Sequence, residues 1–116
     1  MALMEELQKL GVNTDEALSR FMNNAGLYQR MLGKFIANAE KVQVLPFLEA
    51  GDLETAQTNA HTLKGVTGNL SLTPLYEGYS DMMVAFRAGE PEKAKQKLLE
   101  ILPVQEKILD CIRKAQ

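Results

Sequence analysis

Apolar residues recur every three or four positions along most of the chain, and this period constrains the fold more than any other feature of the sequence. The clearest run is Leu53, Ala56, Ala60, Leu63, Thr67 and Leu70. A spacing that alternates between three and four places residues on one face of an α-helix. Since no segment shows the apolar–polar alternation of a half-buried strand, the sequence predicts an all-α protein.

Glycine and proline divide the helical pattern into segments. As one domain, 1–116, the chain is expected to carry four long helices, roughly 25–49, 53–71, 74–88 and 91–115. Pro46 should kink or end the first of these near residues 44 and 45, and Pro103 should bend the last. Four long helices with short connections pack as an up-down-up-down antiparallel four-helix bundle, which is the fold we expect.

One or two short helices are predicted before residue 25, where they would cover one end of the bundle. The first ends at Gly11, a typical residue for the position after a helix. The second begins at Asn13. Asn13 and Glu16 have the spacing of a capping box, and Val12 and Ala17 are placed for a hydrophobic staple.

The composition narrows the class of protein. With 116 residues the chain can bury a single core without help from metals or disulfides. Its 13 basic and 15 acidic residues give a net charge of −2, so nucleic acid is not an expected partner. The single cysteine, Cys111, cannot form an internal disulfide, and a cytoplasmic location is expected. No apolar stretch approaches the ~20 residues of a membrane span, and no signal-peptide pattern is visible.

The residues that could form a functional site surround His61, the only histidine. On a helical wheel of about 100° per residue, His61 points about 130° away from the apolar face, so it should face outward. Gln57, Lys64, Gly65 and Gly68 lie one or two turns away on the same face.

Each neighbour suits an imidazole that carries a phosphoryl group. Lys64 can hold its ammonium group near the phosphoryl oxygens. Gly65 and Gly68 leave the surface beside the ring clear, at about 1 kcal/mol each relative to alanine in a helix. The residues alone leave two alternatives open: His61 and Lys64 are ordinary solvated side chains, or the glycines let a neighbouring helix pack closely. The wheel weakens the second, because both glycines lie off the apolar face.

The run His61-Thr-Leu-Lys64-Gly65, followed by Asn69-Leu70, resembles the signature of histidine-containing phosphotransfer (HPt) domains. The break at 50–52, the segment 13–21 and the turn at 87–89 also fit, so the resemblance covers nearly the whole chain. One departure is Ser71, which stands where the family commonly has glycine. Another concerns the ring of His61, which some relatives orient with a polar side chain from the facing helix. That helix offers Tyr79, Ser80 and Asp81.

The resemblance implies a phosphocarrier of a two-component phosphorelay. His61 would accept a phosphoryl group from a receiver-domain aspartyl phosphate and relay it to another receiver aspartate, with Lys64 neutralising its charge. Gly65 would provide clearance, and Gln57, Gly68 and Asn69 would contact the partner. That partner would be a response-regulator receiver domain or a hybrid sensor histidine kinase, which would supply the magnesium.

No cofactor of its own is expected, because the chain lacks a Walker loop and a glycine-rich nucleotide fingerprint. No metal site is expected either, since one histidine cannot hold zinc. The chain should act as a monomer and not as an enzyme in its own right. The alternative function is a non-phosphorylated helical adaptor that binds a partner protein through the bundle face.

Overall fold

Helices form all of the regular secondary structure in residues 2–116, the part of the chain that the computed structural model describes; Met1 lies outside it. The helices are α1 (Ala2–Lys9), α2 (Thr14–Arg20), α3 (Ala25–Lys41), α4 (Leu45–Glu49), α5 (Leu53–Asn69), α6 (Thr73–Arg87) and α7 (Pro91–Ala115). The predicted all-α class is confirmed. Within residues 2–116, no helix is both long and apolar enough to cross a membrane.

The helix predicted for 25–49 is wrong as a single element. Helix α3 ends at Lys41, and the chain leaves helical geometry at Val42 before α4 begins. Pro46 has no N–H to bond the Val42 carbonyl, and its ring would clash with that carbonyl in a continuous helix. The proline therefore sits in the first turn of α4, where no donor is needed. By contrast, α7 continues through Pro103 as one helix of 25 residues.

Helix α6 packs against both α5 and α7, and α3 contacts the same two helices less extensively. Gly78 of α6 lies tightly against α7, since a Cβ atom there would lie 2.5 Å from Cγ2 of Ile101. Any larger residue at this position must therefore displace Ile101 or separate the helices. The sequence pattern did not single out this glycine.

The apolar face predicted for α5 faces the core along most of the helix. Ala56, Ala60, Leu63 and Thr67 are buried, as is Leu70 just after the helix. Leu53 is the exception, with 43% of its surface exposed, because it is the first residue of α5 and lies beyond the packed part of the helix.

Two tyrosine hydroxyls are buried in the core, and each has an acceptor. Tyr28 donates to the Leu70 carbonyl at 2.7 Å, which ties α3 to the end of α5. Tyr79 donates to Oε1 of Gln105 at 2.7 Å, which accounts for the one polar residue on the apolar face of α7. Burial raises the pKa of both phenols, so both remain protonated donors.

Candidate functional site

His61 lies near the middle of α5 with its side chain exposed, as predicted. It opens onto a groove of about 610 Å³ between α2, α5 and α6. The residues that line the groove are Asn13, Glu16, Arg20, His61, Lys64, Gly65, Gly68, Asn69, Ser71, Thr73, Tyr76 and Glu77. Most of the site residues singled out in the sequence therefore meet in one place. Gln57 is half-buried and does not line the groove.

Gly65 faces open space. A Cβ atom built on it would meet nothing within 4 Å apart from its own helix backbone and chain neighbours. The glycine therefore makes no close helix contact in the structure. Clearance beside His61 is the property that it provides.

Gly68 has a different environment, although it lies on the same side of α5. A Cβ atom here would be 2.9 Å from Cδ1 and 3.0 Å from Cε1 of Tyr76. The Tyr76 ring lies directly over the backbone of α5, which only glycine permits without displacement. For Gly68 the packing alternative describes the structure, and the wheel was misleading because α6 reaches this face with an aromatic side chain.

Ser71, which stands where the resembled family commonly has glycine, has a backbone conformation that glycine adopts easily. It has a φ of +54°, a left-handed conformation that costs a residue with a side chain roughly 1–2 kcal/mol. Its buried hydroxyl donates to Oε1 of Glu16 at 2.9 Å. Because Glu16 is half exposed, this hydrogen bond contributes about 1–2 kcal/mol, which offsets the conformational cost.

The predicted capping box is half right. The Asn13 side chain caps the Glu16 N–H at 3.1 Å, but the Asn13 backbone N–H donates to the Ser71 carbonyl at 3.2 Å. The Glu16 carboxylate is thereby left for Ser71 and for Nη2 of Arg20, at 3.2 Å. These bonds fix α2 to the turn between α5 and α6, so α2 forms a second wall of the groove.

The sequence interpretation missed this α2 wall, which consists of Asn13, Glu16 and Arg20. One signal was available: Glu16 and Arg20 are four residues apart, the spacing of a helical ion pair. The pattern contained nothing to show that α2 lies beside α5. The groove also contains Lys64 and Glu77, and Lys64 takes part in none of the ion pairs within residues 2–116.

None of the three side chains offered by the facing helix bonds to His61. Tyr79 points into the core toward Gln105, and Asp81 pairs with Lys97 at 3.6 Å. The Ser80 hydroxyl is buried and has no partner within the described residues. No hydrogen bond within residues 2–116 therefore fixes the orientation of the His61 imidazole.

The described residues hold no group of three or more His, Cys, Asp or Glu side chains that could bind a metal ion. Comparison of the chain with protein-family models, with curated proteins and with solved structures finds no match. A functional assignment therefore depends on the resemblance in the sequence and on the geometry of the groove.

Proposed function

We propose that this chain is a histidine phosphotransfer protein, in which His61 accepts a phosphoryl group from the aspartyl phosphate of one receiver domain and passes it to the aspartate of another. The observation that carries the proposal is the pairing of an exposed His61 with the open space at Gly65. A receiver must bring its aspartate within bonding distance of the imidazole, and a side chain one turn away would hold the two surfaces apart.

We further propose that α3, α5, α6 and α7 form an up-down-up-down antiparallel four-helix bundle, with the short helices as additions to it. Supporting this arrangement, α6 packs against both of its sequence neighbours. The connections on either side of α6 are also short. Helix α5 ends at Asn69 and α6 begins at Thr73, while α6 ends at Arg87 and α7 begins at Pro91. Consecutive helices joined in this way normally run antiparallel.

In the proposed reaction, a nitrogen lone pair of His61 attacks the phosphorus atom. A P–N bond forms while the P–O bond to the aspartate breaks, and the aspartate leaves as a carboxylate. Phosphoryl transfer depends mainly on positioning and on charge stabilisation. The partner would supply the aspartate and the magnesium, and this chain would supply the nucleophile and the ammonium of Lys64.

The test is incubation with phosphorylated receiver domains, followed by assay for acid-labile, base-stable phosphate. We expect labelling of the wild type and none of His61→Gln, whose fold should survive because the side chain is exposed. ATP alone should give no labelling. A folded His61→Gln protein that still takes up phosphate would refute the assignment. A wild-type protein that binds receivers without labelling would be the adaptor.

The role of Lys64 can be tested separately. Lys64→Ala should slow transfer at saturating receiver and leave receiver binding intact, because a half-buried lysine whose ammonium lies about 4 Å from a phosphoryl charge contributes roughly 1–4 kcal/mol. Lys34→Ala, which removes an exposed lysine from α3, is the matched control and should transfer normally. Equal rates for both variants would show that Lys64 is only a solvated charge.

A further inference from the structure

We propose that Arg20 is a second cation of the His61 site, and that its guanidinium binds the phosphoryl group carried by His61 together with Lys64. This inference rests on the proposed function. It assigns a role in phosphoryl binding to the α2 wall, for which the sequence analysis predicted no part in the site.

The placement of Arg20 supports this role. Arg20 lines the same groove as His61 and Lys64, but it reaches the groove from a different helix. Cations that reach a groove from two different helices can hold an anion between them. The groove also contains Glu77, so without Arg20 its charges would be Lys64 against two carboxylates.

The guanidinium of Arg20 is itself held in position at the wall of the groove, by a hydrogen bond from one of its terminal nitrogens. Its Nη2 donates to Oε1 of Glu16, and Glu16 accepts a second hydrogen bond from the buried hydroxyl of Ser71. Since α2 is also tied to Ser71 through the backbone, the position of Arg20 relative to α5 is set by the fold.

The chemistry of the arginine side chain also suits a phosphoryl group. A guanidinium has five N–H donors, and the hydrogen bond to Glu16 uses one of them. The planar fork of the remaining donors matches two oxygens of a phosphoryl group. Arg20 and Glu16 are each about half exposed, at 50% and 48%, so their ion pair is weak and does not prevent a dianion from recruiting the arginine.

The experiment uses phosphoramidate, a small donor that phosphorylates histidine without a receiver. Ammonia leaves as the P–N bond to His61 forms, so the rate reports the chain's own groups. We expect Arg20→Ala to label about two- to fivefold more slowly than the wild type, which is the range for an exposed charge pair. Arg20→Lys should be intermediate, because it keeps the charge and loses the fork. Arg30→Ala, an exposed arginine on α3 outside the groove, is the matched control and should be unchanged.

A second readout separates contact from structure. The ³¹P chemical shift of the phosphorylated protein, followed against pH, gives the midpoint at which the phosphoryl group takes up a proton. The groups facing it are Lys64, Arg20, Glu16 and Glu77. Removal of a cation favours protonation, so Arg20→Ala should raise the midpoint, while Arg30→Ala should not.

The outcomes distinguish the two proposals. If the wild type does not label, or His61→Gln labels equally well, the proposed function fails. If the wild type labels on His61 and Arg20→Ala shows the wild-type rate, the role of Arg20 is refuted and the proposed function stands. A slower Arg20→Ala protein with an unchanged ³¹P midpoint also refutes it, because Arg20 would then only support α2. If Arg20→Ala loses helical structure, Arg20→Lys decides by the same two readouts.

Discussion

Gly65 and Gly78 lie on neighbouring helices and pay the same helix cost, yet their surroundings are opposite. A Cβ atom on Gly78 would lie 2.5 Å from Ile101, whereas one on Gly65 would meet nothing within 4 Å outside its own helix. Glycine at position 78 destabilises the helix by about 1 kcal/mol relative to alanine, but it allows α6 and α7 to pack closely. Glycine at position 65 has the same destabilising effect on its helix, and no close packing offsets it.

The same difference distinguishes the contact between α6 and α7 from the groove beside α5. Side chains fill the contact between α6 and α7, and this packing explains why glycine stands at position 78. The groove beside α5 is open, and no packing contact explains its glycine at 65; under the proposed function, that glycine leaves room for a receiver domain. Gly68 lies between these extremes, because its close neighbour Tyr76 is a side chain with 40% of its surface exposed.

The largest stability effect is expected at the closed contact. Gly78→Ala forces a methyl group to within 2.5 Å of Ile101, so overpacking here should cost about 2–3 kcal/mol, the upper part of the usual range, against a helix gain of about 1 kcal/mol. We expect a net loss of about 1–2 kcal/mol in the free energy of unfolding, measured by denaturant titration.

Ile101→Ala is the matched background for that measurement, since it removes the two methyl groups that would clash. Gly78→Ala should cost less there than in the wild type, with a coupling energy above about 0.5 kcal/mol. A Gly78→Ala protein as stable as the wild type would remove the contrast with Gly65.

The next effect concerns the α2 wall of the groove. Ser71→Ala removes the hydrogen bond to Glu16 and keeps the left-handed backbone, so it should cost about 1–2 kcal/mol. Ser71→Gly removes the same bond but relieves the backbone, so it should be the more stable of the two by about 1 kcal/mol. Thermal unfolding of both variants tests this order. The reverse order would mean that the backbone at 71 is not strained.

Much of this fold follows from the sequence because it depends on local periodicity. The apolar face of α5, the outward position of His61 and the cap at Asn13 are set by the helix's own geometry. Gly68 and Gly78 were misjudged or missed, because a wheel shows which way a residue points and not which side chain of another helix arrives there. The docking of α2 was missed for the same reason, since it depends on the left-handed turn at Ser71.

A smaller and opposite effect is expected on the open side. Gly65→Ala should raise the free energy of unfolding by about 1 kcal/mol and the melting temperature by about 4 °C, because nothing obstructs the new methyl group. Gly65→Gln should also stabilise, by a little less. Both should slow phosphotransfer from a receiver, glutamine more than alanine. Variants that unfold earlier and transfer normally would show that Gly65 serves packing.

The smallest effect is expected at Gly68, where two contributions cancel. Alanine gains about 1 kcal/mol of helix propensity, but its methyl group would lie 2.9 Å from the Tyr76 ring, which must swing outward and lose part of its packing. Since the ring is already partly exposed, this movement is inexpensive, and Gly68→Ala should remain within about 0.5 kcal/mol of the wild type.

Removal of the Tyr76 ring should leave only the gain in helix propensity at position 68. In a Tyr76→Ala background, Gly68→Ala should stabilise by the full helix increment of about 1 kcal/mol. Gly65→Ala is the matched control, and its gain should be the same with and without Tyr76, because no atom of the ring lies within 4 Å of a methyl group there. Denaturant titrations of the wild type, the three single variants and the two double variants measure both differences. If Gly68→Ala gains the same stability in both backgrounds, Tyr76 does not press on position 68, and Gly68 joins Gly65 as a residue that serves access to the groove.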